Sequence, residues 1–550
     1  MLFNTFHFAY FFAILLPVYW IVPHSLDSEG LRRRLSPWVL RPLYWVVRQP
    51  QNILLLAASY YFYACWDWRF LSLLILSTAM DFGCGLAVDR IDEPRKRKLF
   101  VALSMALNLG MLGYFKYYNF FAESLQAMLA RAGLSVPLAH LNVVLPIGIS
   151  FYTFQSMSYV IDIYRRDIKP TRNFVEFAAF VSFFPHLVAG PIMRPTSLLP
   201  QIEAPRRFNL QQFYQGAYLI FWGLTKKVVV ADNLALIVND LFGKWETIDG
   251  GLAMVAIYAF TFQIYCDFSG YTDAARGIAK CLGFELALNF NLPYFATSPQ
   301  EFWSRWHISL SSWLRDYLYI PLGGNRKANG VIVTRVLMAA LIGGLAYFLP
   351  AAFGLTTTGT KLMLIRAGIV ALLAPTLLIP VRRTMAVYRN LMLTMVIGGL
   401  WHGAAWTFVL WGFYQGVLLV GHRIAKPWLD RIRPADPVEA ACWKGVRIVA
   451  TFHMVCVGWL IFRATSIQQV VGMVRAIVER PAIPASAYML PVAVLIVPLL
   501  LYQIAQYVTD DLDVIARTPW YVRSVFYTAC FYAFVLGGEF GGSQFIYFQF

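Results

Sequence analysis

Charged residues are scarce in this chain. Only 14% of its 550 residues are Asp, Glu, Lys or Arg, whereas 59% are hydrophobic. A soluble protein carries about 25% charged residues. No polar segment is long enough to fold as a soluble domain, so we predict one polytopic membrane domain over residues 1–550. Any chemistry then takes place inside the membrane or at its two faces.

Signatures of bound metals, cofactors and nucleic acids are missing. The seven cysteines include no CxxC pair and no Cys/His ligand spacing, which argues against a metal site and against structural disulfides. No Walker loop, GxGxxG motif or GxSxG elbow is present, so we expect no bound cofactor. The net charge of +17 is scattered over short loops and forms no stripe suited to nucleic acid.

Long apolar runs are abundant instead. A helix needs about 20 apolar residues to cross a bilayer. We therefore predict an all-α integral membrane protein of about 11–14 membrane helices, some of them re-entrant or interfacial. The runs cover residues 2–22, 52–88 (two helices), 99–118, 143–164, 213–230, 252–282, 331–350, 362–380, 391–420, 446–463, 489–509 and 521–537.

Basic loops predict the orientation of the chain. The first run lacks a basic start and a small-residue cleavage site, so we expect it to be retained as a helix. The cluster Arg32–Arg34 follows it, Arg95–Lys98 lies two runs further on, and Arg165–Arg166 two crossings beyond that. Because loops rich in Lys and Arg stay in the cytoplasm, the N-terminus is predicted to lie outside.

One histidine, His402, stands near the middle of an apolar run. Residues 391–416 contain no Asp, Glu, Lys or Arg. An ionisable side chain at membrane depth is costly and usually faces a cavity or a pathway, which favours a functional role. The alternative is a histidine that bonds a neighbouring helix and only holds the bundle together.

The segment 297–327 has the pattern of one amphipathic helix. Ser298 is suited to cap it, Pro299 to its first position, and Glu301 to a capping box, while Gly323–Gly324 would end it. An interfacial anchor would explain the tryptophans and arginines, but not the serines and histidine of the polar side. At helical spacing, the side chains of this segment fall into three stripes along the helix. They are Trp303, Trp306, Leu310, Trp313 and Tyr317; Ser304, His307, Ser311 and Arg315; and Arg305, Ser309, Ser312 and Asp316.

Two carboxylates, Asp267 and Asp273, interrupt another apolar run. Carboxylates near membrane depth are expensive, and the Ser269–Gly270 pair between them could break the helix and expose its backbone to a cavity. Two roles stay open for these carboxylates: substrate binding, or the capping and pairing of helices.

Seven strings, spread over nearly the whole chain, carry a family resemblance. They are NILLLAASYYFYACWDW, LPIGISFYTFQSMSYVIDIYRR, FFPHLVAGPIMRP, YCDFSGYTDAARG, RWHISLSSWLRDYLYIPLGGNRK, GGLWHGAAWTFVLWG and FIYFQF. Together, and in this order, they resemble the membrane-bound O-acyltransferase (MBOAT) superfamily, and most of all its bacterial branch that O-acetylates exported polysaccharides.

The resemblance implies an enzyme with a tunnel through an MBOAT-type helix bundle. Its two marked histidines match His402 and His307 of this chain. It further implies that cytosolic acetyl-CoA is the acyl donor. The acetyl group would cross a bacterial inner membrane and reach an alginate- or cellulose-like polysaccharide, directly or through a periplasmic partner. The N-terminus would then be periplasmic.

The chain departs from this pattern between the two histidines, which are 95 residues apart. Residues 328–384 are predicted to be an insertion with two extra membrane helices. Two crossings return the chain to the same side, so we expect the insertion to leave the tunnel intact and to affect partner docking or lipid contact.

Each histidine has an expected role. His402 is the predicted general base, because burial keeps imidazole neutral and able to take a hydroxyl proton. His307 would orient or polarise the thioester carbonyl, bind the acceptor, or serve structure alone. Candidate substrate- and donor-binding residues are Trp303, Arg305, Trp306, Ser311, Arg315, Asp316, Asn325, Asp267 and Asp273.

Other functions compete with polysaccharide O-acetylation. D-alanyl transfer to teichoic acid is the closest enzymatic alternative. The intramembrane Asp267, Asp273, His307 and His402 could instead form the path of a transporter or channel. A structural subunit of a polysaccharide export complex is the third possibility.

Overall fold

The computed structural model describes residues 2–22, 49–131, 133–325, 383–484, 486–540 and 545–546, with isolated positions between 339 and 370. Over these residues the chain is helical and contains no β-strand, which confirms the all-α fold class. Apart from isolated positions and its last two residues, the predicted insertion 328–384 lies outside the described residues, as do its two predicted helices.

The described chain packs into two compact units. One takes in described residues of Met1–Asn119, His140–Val228 and Phe268–Leu288. The other takes in those of Phe120–Ala139, Val229–Asp267 and Asn289–Phe550, and it holds both His307 and His402. The single membrane domain stays a prediction.

The helices of the first half of the chain are short to medium in length, and 3₁₀ or π turns join some of them end to end. They are α1 (Phe6–Ile21), α2 (Pro50–Asp67), α3 (Leu71–Arg90), α4 (Pro94–Leu112), α5 (Tyr118–Arg131), α6 (Ile149–Arg165), α7 (Phe174–Ser182), α8 (Phe184–Leu187), α9 (Pro195–Glu203) and α10 (Leu210–Thr225).

The second half contains longer helices and two short ones around His307. They are α11 (Asp232–Gly243), α12 (Gly250–Cys281), α13 (Pro299–Arg305), α14 (Ile308–Leu314), α15 (Arg383–His402), α16 (Trp406–Arg431), α17 (Pro437–Arg463), α18 (Ile467–Glu479), α19 (Ser486–Thr509), α20 (Val514–Arg517) and α21 (Trp520–Gly537).

Five helical stretches in the described part are long and apolar enough to cross a membrane: 50–90, 94–130, 250–281, 437–463 and 486–509. The shorter α1 is also apolar. The protein is therefore a multi-pass membrane protein. The 3₁₀ turn Trp68–Phe70 divides the first stretch, which confirms two helices in the run 52–88. The total of about 11–14 membrane helices stays a prediction.

The apolar run 391–420 is a hairpin of two helices. Helix α15 ends at His402, and α16 begins at Trp406 and packs back against α15. The hairpin is tight because glycines face each other across it: a Cβ on Gly399 would collide with the Phe408 carbonyl oxygen, and one on Gly412 with that of Met395. His402 thus lies at the turn of a hairpin, not midway along one helix.

The predicted amphipathic helix of segment 297–327 is broken at its histidine. Its start is as predicted: Ser298 caps α13 by accepting the Glu301 N–H at 3.1 Å, and Pro299 takes the first helical position. The helix ends at Arg305, and α14 begins only at Ile308. The stripes drawn across the whole segment therefore do not persist, because the left-handed backbone of His307 interrupts the helical repeat between α13 and α14.

The predicted break at Ser269–Gly270 is wrong. Helix α12 runs through this pair without interruption. Gly270 instead lies against helix α10, where a Cβ on it would be 2.6 Å from the Gly223 carbonyl oxygen. The glycine permits close packing of two helices and leaves the helix itself intact.

Candidate active site

His307 occupies the break between α13 and α14. Its backbone has φ 45° and ψ 52°, in the left-handed region that a non-glycine residue seldom enters. The side chain is fully buried. Such a conformation costs on the order of 1–3 kcal/mol and is found preferentially where surrounding contacts hold a functional group.

Asn289 supplies those contacts. Its side-chain Oδ1 accepts the backbone N–H of Ser309 at 3.1 Å and the Ser309 hydroxyl at 2.9 Å. Its backbone oxygen accepts the N–H of Ile308 at 3.0 Å, and Oδ1 lies 3.2 Å from His307 Nδ1. One buried asparagine thus holds three successive residues of the turn.

His402 is brought beside this turn by the hairpin. It is the last residue of α15 and only 5% exposed, and its ring centroid lies 6.4 Å from that of His307. Trp401 packs on both imidazoles, with centroids 5.0 Å from His402 and 6.2 Å from His307. Trp411 and Phe462 pack at steep angles against the His402 ring, with centroids 5.1 and 5.5 Å away. The two histidines therefore share an aromatic enclosure.

This enclosure favours neutral imidazoles. Charging a ring that is shut off from water is expensive. His307 lies outside the helices long enough to span the membrane, and burial holds its pKa well below the ordinary histidine value. A neutral imidazole has one nitrogen that accepts a proton and one that donates, as general base catalysis requires.

A cavity of about 450 Å³ opens beside the histidines in the same unit. One wall is the polar side of α13 and α14 and the other is formed by α15 and α16. Hydroxyls and two arginines make this cavity far more polar than the aromatic enclosure. The lining residues are Gln300, Trp303, Ser304, Ile308, Ser311, Ser312, Leu314, Arg315, Tyr319, Asn325, Leu391, Thr394, Met395, Leu419 and Arg423.

Trp303 connects the cavity to the histidines. It lines the cavity and packs on Trp411 with ring centroids 5.8 Å apart, and Trp411 packs on His402. On another side Leu314 lines the cavity and covers Gly398, four residues before His402. The cavity and the histidine pair therefore share their walls.

Polar residues gather where α16 and the end of segment 297–327 meet. The amide oxygen of Asn325 accepts the Tyr319 hydroxyl at 2.8 Å and Arg423 Nη1 at 3.2 Å. Arg315 forms a 2.7 Å ion pair with Asp316. Arg315, Asn325 and Arg423 are exposed, whereas Tyr319 and Asp316 are half-buried, so we call this polar cluster the mouth of the cavity.

Four of the predicted binding residues line the cavity: Trp303, Ser311, Arg315 and Asn325. Asp316 stands next to the cavity through its ion pair. Two others do not line this cavity and make contacts elsewhere in the fold. Arg305 pairs with Glu301 at 2.9 Å and donates to the Asn291 carbonyl at 3.1 Å, and Trp306 is buried among aromatic rings.

The two carboxylates of α12 are engaged in other contacts. Asp267 accepts the backbone N–H of Ile546 at 2.7 Å. Asp273 belongs to the other unit, where it pairs with the buried Lys226 at 2.6 Å and with Arg276 at 3.3 Å. These contacts correspond to the helix-pairing role left open for Asp273.

Sequence reasoning missed several residues of the site, among them Asn289, Trp411 and Arg423. Asn289 lies in a stretch without regular structure, and its bond to His307 spans 18 positions, so no periodicity reveals it. Trp411 and Arg423 belong to α16, which faces the site only because the run 391–420 folds back as a hairpin. A break signal in the Gly403–Ala405 stretch could have suggested that turn.

Known proteins are similar to this chain in sequence. A sequence profile of the MBOAT, membrane-bound O-acyltransferase family, matches residues 165–342. A probable alginate O-acetylase AlgI of Azotobacter vinelandii is 39% identical over 76% of this chain and 70% of its own length. The peptidoglycan O-acetyltransferase of Helicobacter pylori is 30% identical over 77% and 73% of the two chains. The teichoic acid D-alanyltransferase of Bacillus subtilis is 25% identical over 58% and 69%.

Proposed function

Because this chain belongs to the membrane-bound O-acyltransferase family, we propose that its reaction is O-acetylation of an exported polysaccharide. The acetyl group would come from cytosolic acetyl-CoA and cross the membrane to an alginate- or cellulose-like polymer, directly or through a periplasmic partner. The observation that carries the proposal is the pair His307 and His402, buried with ring centroids 6.4 Å apart beside a polar cavity.

The chemistry is acyl transfer from a thioester to a hydroxyl. His402 takes the hydroxyl proton as the oxygen attacks the acetyl carbon. A new C–O bond forms, the C–S bond breaks, and the thiolate leaves with the electron pair. The proton held by His402 then passes to that thiolate, which restores the neutral imidazole and releases the free thiol. No other reactant is needed.

The mouth of the cavity suits a donor that carries phosphates. Arg423 and Arg315 supply guanidinium groups, and guanidinium binds phosphate oxygens through paired hydrogen bonds. Two serines of α14, Ser311 and Ser312, line the same cavity as Trp303. A donor whose phosphates are held at the mouth could extend its thioester past Trp303 toward His402.

A second candidate function is D-alanyl transfer to a teichoic acid-type acceptor. The relative that favours it is the D-alanyltransferase of Bacillus subtilis, which is less similar over a smaller part of the chain than the acetyltransferases. Purified protein given labelled acetyl-CoA or a D-alanyl-charged carrier protein separates the two: only the true donor loses its acyl group in a His402-dependent way.

The decisive experiment replaces His402 by alanine and measures acetylation of the polymer in cells. A normal expression level in the membrane establishes that the variant folds. We expect acetylation to fall on the order of 10²–10⁴-fold, the usual contribution of a general base. The matched control is His453→Ala, because His453 is an exposed histidine of the same unit that bonds Tyr258. Normal acetylation by His402→Ala would refute the assignment.

A further inference from the structure

The side-chain amide of Asn289 has only one possible orientation. The backbone N–H of Ser309 can only donate, and it lies 3.1 Å from the atom assigned as Oδ1. If the amide were flipped, its NH₂ group would face the Ser309 N–H, and two hydrogen-bond donors would meet inside the protein. In the unflipped orientation Nδ2 has no hydrogen-bond partner among the described residues. The hydrogen bonds that hold the side-chain amide are therefore those that its oxygen accepts.

This orientation decides which nitrogen of His307 carries the hydrogen. Asn289 Oδ1 is an acceptor, so the 3.2 Å bond to His307 Nδ1 forms only when Nδ1 is protonated. A neutral imidazole carries a single N–H. His307 is therefore the Nδ1–H tautomer, and its Nε2 bears the lone pair.

We propose that Asn289 is a positioning residue that locks His307 in this tautomer, so that Nε2 accepts a hydrogen bond from a hydroxyl of the acyl acceptor. The hydroxyl belongs to the reaction proposed above, on which this part of the inference rests. The inference also decides between the roles open to His307. A neutral ring of this tautomer has no hydrogen on Nε2 to donate to a thioester carbonyl, which leaves acceptor binding as the chemical role of His307.

His402 and His307 then contact different hydrogens of the acceptor. A sugar residue carries several hydroxyls, so His402 can take the reacting proton while His307 Nε2 holds a neighbouring hydroxyl. The ring centroids are 6.4 Å apart, a distance over which neighbouring hydroxyls of one sugar can reach both imidazoles. An acceptor with adjacent hydroxyls is the substrate class that this arrangement recognises.

The tautomer can be observed without any assay of acetylation. Full-length protein labelled with ¹⁵N-histidine is studied by NMR in detergent at neutral pH, and the His307 signals are identified by their loss in His307→Gln. We expect a protonated Nδ1 and an unprotonated Nε2. A protonated Nε2 would overturn the inference, whatever reaction the protein catalyses.

Two substitutions test whether Asn289 is responsible. Asn289→Ala removes the acceptor of the Nδ1 hydrogen, so the His307 signals should change to a mixture of tautomers, and acetylation should fall at least about tenfold. The matched control is Asn291→Ala, because Asn291 contributes its backbone N–H to the Arg305 carbonyl and keeps it in the variant. An unchanged tautomer in Asn289→Ala would contradict the positioning role.

Asn289→Asp separates positioning from simple structural support. The aspartate keeps an oxygen for Ser309, so a structural role predicts a normal enzyme with a normal pH profile. Its negative charge beside Nδ1 also stabilises the imidazolium, which would shift the loss of activity on the acid side to higher pH. His402, the titratable ring in contact with His307, is the same in both proteins. A pH profile of Asn289→Asp that matches the wild-type profile would refute a positioning role for Asn289.

Discussion

The imidazole rings of His307 and His402 lie 6.4 Å apart between centroids, at an interplanar angle of 58°, although 95 residues separate them in the chain. A left-handed turn places one ring, and the end of a helical hairpin places the other. Trp401 packs on both rings. The pair is therefore a product of two backbone irregularities that meet in the fold.

Replacing His307 should test its chemical role. We expect His307→Ala to lower polymer acetylation about tenfold or more, because alanine offers no acceptor for the hydroxyl that Nε2 would hold. Acetylation is measured on isolated polymer, with the membrane level of the protein as a check on folding. The exposed His140, changed to alanine, provides the comparison. Wild-type acetylation in His307→Ala would leave His307 a structural role only.

The arginine at the mouth of the cavity should affect donor binding. Arg423→Gln is expected to raise the KM for acetyl-CoA about tenfold with little change in kcat, because the loss of a charge-assisted hydrogen bond costs about 1.5–3 kcal/mol. Steady-state kinetics with the purified protein measure this. Arg431→Gln, an exposed arginine two turns further along α16, should leave both constants unchanged. Equal KM values for wild type and Arg423→Gln would argue against a phosphate site there.

The hairpin should not tolerate even a methyl group at its contact. In Gly412→Ala the new Cβ would collide with the Met395 carbonyl oxygen, so we expect about 1–3 kcal/mol of destabilisation and lower acetylation. Thermal unfolding of the purified protein measures the first effect. Gly421→Ala, on the same helix, meets no atom within 4 Å and should be neutral or slightly stabilising. A stable Gly412→Ala protein would mean that the two helices are farther apart.

The ion pair between Asp273 and Lys226 should be essential for folding and dispensable for chemistry. Asp273→Asn leaves the 4% exposed Lys226 side chain without its carboxylate, which we expect to destabilise the protein by about 3 kcal/mol. The double variant Lys226→Met/Asp273→Leu should recover both stability and acetylation. Lys244→Ala, from an exposed ion pair, should have little effect. Lost acetylation in a fully stable double variant would revive a substrate-binding role for Asp273.

The orientation in the membrane can be tested with a reporter. The basic residues 95–98 lie in the first turns of α4, and the positive-inside rule predicts a cytoplasmic position for them. We expect a reporter fused after Lys98 to report cytoplasm and one fused to the N-terminus to report the periplasm. The opposite pair of signals would invert the proposed path of the acetyl group.

Local signals in the sequence determined much of the architecture. Ser298 and Pro299 predicted the start of α13, because a side-chain oxygen and a fixed φ satisfy the needs of a helix end by themselves. The scarcity of charge predicted membrane helices, and His402 was conspicuous because ionisable groups are costly in apolar surroundings. Each of these inferences depends on a residue and its immediate neighbours in the chain.

Tertiary structure decided the rest. The helix break at His307, the intact helix at Gly270 and the hairpin after His402 all follow from packing against distant parts of the chain, which periodicity does not encode. Asn289 gains its place in the site only when the turn 307–309 folds onto it. The sequence by itself therefore determined a membrane protein with two candidate histidines. The fold decided that they meet, and Asn289 fixes how one of them presents its nitrogen, because hydrogen bonds between distant residues exist only in the folded chain.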